Sequence, residues 1–168
     1  MPGTTSTTEL VMRHQWEAYM ECGASEKAFN LIGEGFTTFP ESKNPKEYTR
    51  KYINDKTERS DVIGYAPSIS YSADAITNDP VVNEIMEITD LELVGTATHR
   101  EIVSVNTWDE NESGEFAATK RTYAIIPDGK GDGTDALIYT GTMKAVSDIT
   151  IGTFNRETKT FTAASKTV

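Results

Sequence analysis

Cys22 is the only cysteine, so no disulfide can form within the chain, which fits folding in a reducing cytoplasm. There are only two histidines, His14 and His99, and no Cys/His cluster has metal spacing, which excludes a structural zinc of the usual kind. No G-x-S-x-G surrounds a serine, so the nucleophile elbow of a hydrolase is missing. Residues Gly129–Thr134 are glycine-rich but lack the G-x-x-x-x-G-K-[ST] order of a phosphate loop. No apolar run approaches the roughly 20 residues that span a bilayer. The polar opening, MPGTTSTTEL, has no basic stretch ahead of an apolar one and does not read as a secretory signal. Apolar residues are also scarce, at 37%. That share suggests a flat or elongated domain, or one with long polar segments. A length of 168 residues suggests a single domain, which can bury roughly two-thirds of its unfolded surface.

Acid is plentiful and unevenly placed. The net charge is −10. Residues 61–115 hold twelve acids against one base, Arg100, whereas 41–60 hold six bases and four acids. A protein that grips nucleic acid would show a basic face. Here the pattern predicts a solvated acidic surface or, more sharply, a basic segment that meets the acidic segment of another copy.

Period-two alternation dominates the rest. Residues 15–21 place Trp16, Ala18 and Met20 on one side, and this strand reading is preferred to the helical stripe of Met12, Trp16, Tyr19 and Met20. A turn over 23–26 leads to a second strand over 27–33, with Ala28, Asn30 and Ile32 on one face and Phe29 and Leu31 on the other. Residues 1–14 read as a flexible arm, and 1–8 as disordered. Residues 37–60 have no sustained period, two prolines and many charges, and are expected to form a long loop. Alternation resumes over 62–75, with Ile63, Tyr65, Ile69, Tyr71, Ala73 and Ala75 in phase and a bend at Gly64 and Pro67. One short helix is expected over 80–89. Asn78 or Asp79 would cap it, Val81, Ile85 and Ile88 would face a sheet, and Glu84 and Glu87 would point outward. Strands follow over 98–108, with Ile102 and Arg100 opposite Val103 and Val105, and over 116–127 and 136–146. An acidic turn over 109–115 and a Gly/Asp loop over 128–135 separate them. A last hairpin, 149–163, closes between Phe154 and Phe161. Seven or eight strands with one flanking helix and a long loop make a mainly β fold, a β-sandwich or an open barrel.

Two turns pass part of a calcium test. Asp109, Asn111, Ser113 and Gly114 match half an EF-hand loop, but Lys120 stands where a bidentate Glu is needed. Asp128, Lys130 and Asp132 fail at the lysine. Both read as ordinary turns. No two acids stand out as a catalytic pair, and no cofactor or metal is expected.

The order of motifs from Trp16 to about Asp90 resembles the tail tube (major tail) proteins of long-tailed bacteriophages, particularly those of low-GC Gram-positive hosts. An early strand, Trp16–Met20, precedes a Gly turn and a second strand ending in Gly33-Glu34-Gly35-Phe36-Thr37. Asn44-Pro45 and Lys51-Tyr52-Ile53-Asn54-Asp55-Lys56 follow, then Val62-Ile63-Gly64-Tyr65 and the helix after Asp79-Pro80. Gly152-Thr153-Phe154 and Lys159-Thr160-Phe161-Thr162 are similar to that family's last hairpin. The resemblance implies a self-assembling virion protein, made in the host bacterial cytoplasm and located in the tail, with no enzymatic activity. It implies hexameric rings stacked into a tube through a long loop, with tape measure, tail terminator and baseplate proteins as partners. DNA would pass through without specific binding, and no membrane would be involved. The implied inter-ring residues are Pro40, Lys43, Pro45, Lys46, Tyr48, Arg50, Lys51, Tyr52 and Lys56. Asp74, Glu101 and Asp109 are the candidate lumen acids. The alternatives are a carbohydrate-binding β-sandwich with Tyr65, Tyr71, Trp108, Tyr123 and Tyr139 as a sugar platform, and an enzyme using paired carboxylates.

Overall fold

Alternation along the chain becomes strand in all the places expected, and in one segment where none was. A computed structural model describes residues 8–131 and 133–165, so Asp132 and most of the segment expected to be disordered lie outside it. The strands are β1 (Trp16–Cys22), β2 (Ala28–Ile32), β3 (Phe36–Thr38), β4 (Glu41–Ser42), β5 (Pro45–Arg50), β6 (Arg59–Tyr65) and β7 (Ser68–Asp74). Helix α1 (Pro80–Asp90) follows, then β8 (His99–Glu110), β9 (Phe116–Lys130), β10 (Ile138–Ala145), β11 (Thr150–Asn155) and β12 (Thr160–Ala163). A 3-10 turn over Arg13–Gln15 leads into β1. Twelve strands replace the seven or eight expected, because Pro67 divides β6 from β7 and the segment expected to be a loop holds β3, β4 and β5. The expected loop at 128–135 is also shorter, since β9 runs on to Lys130. There a register shift beside Thr140 and Gly141 absorbs one extra residue as a bulge.

Ten strands form one antiparallel sheet, and β5 and β6 pair only with each other. The main path is β2-β1-β8-β9-β10-β7-β3, with β4 also on β7. Strand β9 forks: its first half pairs with β11 and its second half with β10. The sheet curls strongly. Strands about 4.8 Å apart would put β11 about 14 Å from β1 in a flat sheet, yet the rings of Phe154 and Tyr19 have centroids 4.5 Å apart. Of the two β architectures left open by the sequence, the open half-barrel is the one adopted.

Each face of the sheet has its own core. Ala18, Met20, Ile69, Ile102, Ile125 and Met143 pack with Val81, Ile85 and Ile88 of α1 on one face. Tyr19, Val103, Val105, Ala118 and Phe154 pack on the other, with Phe29, Phe116 and Phe161 around them. The helix forms where expected. Asp79 accepts hydrogen bonds at 3.0 Å from the amides of Val81 and Val82, and Pro80 needs no amide partner.

Glu87 is exposed, but Glu84 is turned inward, contrary to expectation. Its carboxylate accepts from Arg100 Nη2 at 2.7 Å and Nε at 2.9 Å, and from the Gly23 amide at 3.0 Å. A half-buried carboxylate needs such partners. The clasp ties α1 to β8 and to the turn between β1 and β2.

Burial pushes the Cys22 thiol up to about 12 from 9.0, and the Tyr71 hydroxyl up to about 12 from 10.0. Tyr123 moves the same way for the same first reason. The fold therefore favours the neutral forms. Their contribution is complete below pH 9 and is lost as pH rises from 9 toward 12, where the unfolded chain releases protons that the folded one keeps. The denaturant midpoint should fall between pH 8.5 and pH 11, by denaturation followed at each pH, as Cys22 begins to ionise in the unfolded state. A midpoint that does not move would mean that these groups are not buried as described.

Candidate functional site

The segment of mixed charge expected to be a loop is instead a β-hairpin that stands off the sheet. Strands β5 and β6 run antiparallel from Pro45 opposite Tyr65 to Arg50 opposite Arg59, with a register shift beside Lys46 and Glu47. The hairpin continues the β4–β7 ladder past the sheet: Glu41 lies opposite Ile69, Ser42 opposite Ser68, and the Ala66 amide donates to the Asn44 carbonyl at 3.2 Å. None of its side chains enters either core.

Local forces give it form. The Arg50 guanidinium lies 5.3 Å from the Tyr48 ring centroid and 5.5 Å from that of Tyr52, donates to Tyr52 Oη at 2.9 Å and pairs with Asp61 at 2.6 Å. Those two partners, Tyr52 first, hold its pKa above the ordinary value. Arg59 lies 5.6 Å from the Tyr52 centroid and pairs with Asp55 at 2.8 Å. Exposed cation–π and ion pairs contribute about 0.5–1 kcal/mol each at most, and an isolated two-stranded hairpin is marginal in water. Meanwhile Tyr48, Tyr52, Ile53, Val62, Ile63 and Tyr65 are all exposed on it. Concentrations of exposed apolar side chains of this kind accompany surfaces that meet other molecules.

All nine residues expected at an inter-ring contact lie on this element or its root. Pro40 and Lys43 flank β4, with Lys43 paired to Glu41 at 2.8 Å. Pro45, Lys46, Tyr48 and Arg50 are in β5, and Lys51, Tyr52 and Lys56 are in the turn. Arg50 and Arg59 are engaged within the hairpin, whereas Lys46, Lys51 and Lys56 make no ion pair among the described residues. Sequence reasoning missed Ile53, which is fully exposed at the tip. It also put Ile63 and Tyr65 in phase with buried Ile69 and Tyr71. The usable signal was the pair of breaks, Asn44-Pro45 and Ala66-Pro67, bracketing two short alternating runs.

The expected lumen acids do not form one cluster. Pairing across β8–β9–β10–β7 puts Glu101 and Asp74 on the face opposite α1. On β9, β10 and β7 that face carries Thr122, Thr140, Thr142, Ser68, Ser70 and Ser72, half-buried or exposed. Lys144 shares the face, and Glu101 lies 3.8 Å from Lys120. Asp109 lies apart, at the turn joining β8 to β9. In that turn Asn111 Oδ1 accepts from the amides of Ser113 and Glu115, so its oxygen serves the turn itself. The aromatics proposed as a sugar platform are also dispersed. Tyr71, Tyr123 and Tyr139 are buried in the core under α1, and Trp108 and Tyr65 are exposed on separate elements.

No family model matches the sequence, and no curated protein matches it. Solved structures match through the fold. A chain of the tail of an empty GTA particle, determined by helical refinement in C6 symmetry, superposes with a TM-score of 0.56 at 13% identity, over 84% of this chain and 98% of that one. A chain of the cap that terminates the tube of the anti-feeding prophage gives 0.51 at 16% identity, over 91% and 99%. A chain of the six-fold symmetrised baseplate of the same particle gives 0.50 at 9% identity, over 86% and 97%. At these identities the likeness is one of fold.

Proposed function

We propose that this chain is a structural subunit of a phage-like tail tube, in which six copies close into a ring and rings stack into a conduit. The observation that carries the reading is the projecting hairpin, which exposes six large apolar side chains and has no core of its own. The fold supports it, since the similar chains come from a C6 tail, a tube cap and a six-fold baseplate. The half-barrel has free edges at β2 on one side and at β3 and β4 on the other. Free edges template further pairing, and a closed ring of copies removes them. The tube would lie in a virion tail, built with tape measure, terminator and baseplate proteins, and the subunit itself would carry out no reaction. Negative-stain images of the concentrated protein test this: rings or tubes with six-fold symmetry are expected, and monomers at all concentrations would overturn it.

The hairpin should also report assembly. Its backbone hydrogen bonds face solvent in a single copy, so amides of 46–65 should exchange quickly in the free subunit and slowly in tubes. Equal exchange in both states would mean that the hairpin is not a contact.

The hydroxyl-bearing face of β9, β10 and β7 is the natural lining of the conduit. It offers two cations to phosphates, Lys144 and Lys120, of which Lys120 lies 3.8 Å from Glu101, and Asp74 adds a further negative charge. Each lysine added there would create a phosphate contact that releases counterions and retains DNA. Asp74→Lys with Glu101→Lys should therefore slow or block DNA ejection from tails that assemble normally. Unchanged ejection would remove these two acids from the lumen.

A further inference from the structure

The hairpin tip has a counterpart at the other end of the same molecule. Strand β7 runs from Ser68, where the hairpin departs, to Asp74, seven residues or about 20 Å away. At that far end Asp74 faces Ile138, and Tyr139 faces Lys130. There a groove of about 360 Å³ opens between the end of α1 and the end of β9. Ile88, Leu93, Val94 and Pro127 make it apolar, and Val94 is largely exposed. Glu92 and Asp128 stand on its rim, both exposed and without an ion pair among the described residues. No base lines the groove among the described residues, and Lys130, two positions beyond Asp128, is paired with Asp90 at 2.6 Å. The groove is thus apolar and acidic, while the hairpin tip is apolar and sets Ile53 between two cations, Lys51 and Lys56, that make no ion pair among the described residues; of the two acids in that turn, Asp55 is held by Arg59 and Glu58 immediately precedes the return strand.

We infer that the groove is the socket for the hairpin tip of a second copy, with Ile53 seated on Leu93, Val94 and Pro127 and with Lys51 and Lys56 against Glu92 and Asp128. This rests on the tube reading and specifies its axial contact. Tip and socket leave β7 from opposite ends, so a copy cannot present both to the same neighbour along one direction. The contact is heterologous, and repetition extends it as an open stack instead of closing it. Opposite charges at the rim set the register and make growth sensitive to salt, with a screening length of about 8–10 Å at physiological ionic strength.

Charge reversal tests the pairing on the full chain. Lys51→Glu with Lys56→Glu should fold, by circular dichroism and melting, yet form no pelletable tubes. Glu92→Lys with Asp128→Lys should do the same. The quadruple variant, in which both surfaces are reversed, should form tubes again. As a second measurement, Ile53→Cys and Val94→Cys chains, mixed and assembled under oxidation, should yield a covalent dimer; native Cys22 is buried. If the parent forms tubes but either pair variant does too, or if the introduced thiols at 53 and 94 never join, the socket is elsewhere and the tube reading stands. If the parent forms neither rings nor tubes, the tube reading itself fails.

Discussion

Excising residues 46–64 and joining Pro45 to Tyr65 through a two-residue turn should abolish tube growth while leaving the subunit folded. The hairpin contributes to neither apolar core, and its internal ion pairs and stacking are solvent-exposed. Its loss removes little that holds the half-barrel together. For a domain of this size a change of 1 kcal/mol moves the melting temperature by about 2–4 °C, so a shift no larger than that is expected. Assembly is different, because five exposed apolar side chains, Tyr48, Tyr52, Ile53, Val62 and Ile63, leave with the segment. Burying one such side chain contributes about 1.5–3 kcal/mol, and a contact repeated around a ring multiplies that. Rings should persist, since their edges at β2, β3 and β4 are untouched, and tubes should not. Electron microscopy and sedimentation of the excised variant give the answer. Tubes of parental length would show that the axial contact lies elsewhere, and an unfolded variant would show that the hairpin belongs to the folding unit.

Ile85→Asp should be the most damaging single substitution in the helix. Ile85 is completely buried between α1 and the sheet. The change opens a gap in a packed core and places a carboxylate where no partner reaches it, a combination that costs about 3–5 kcal/mol. Against a total stability of about 5–15 kcal/mol, that is a large fraction. Ile85→Val, which keeps the shape and adds no charge, should cost only about 0.5–1.5 kcal/mol. The penalty should also depend on pH. Burial would raise the carboxyl pKa of the introduced acid in the folded state, so stability relative to the parent is best below its unfolded value, about pH 4, and falls as pH rises. Denaturant titrations of parent and variant at pH 4 and pH 7 measure this directly. A variant that unfolds with the parent at neutral pH would mean that α1 does not pack as described.

Much of this architecture was legible in residue order, for identifiable reasons. Trp16, Ala18 and Met20 share a face because strand side chains alternate strictly, and that periodicity survives any tertiary arrangement. The helix was legible because Asp79, Pro80 and the i, i+4, i+7 spacing of Val81, Ile85 and Ile88 are local signals. The closing hairpin was legible from Phe154 and Phe161, which do stand opposite each other. The hairpin over 45–65 was not, because its alternating runs carry charge on both faces and border no core. Glu84 was misplaced for a related reason: its partner Arg100 is 16 residues away and on another element.

The sequence by itself determined the strand-rich class, the site of the helix, which residues alternate toward a core, and the lopsided charge. Those properties depend on neighbours a few positions apart, where backbone geometry imposes the pattern. Only the tertiary structure decided that the sheet curls far enough for Phe154 to meet Tyr19, and that one chain presents an apolar hairpin tip and an acid-rimmed groove at opposite ends. Curl accumulates from small twists over many strands, and the placement of ends depends on which strands pair. Neither quantity is carried by any local stretch of residues.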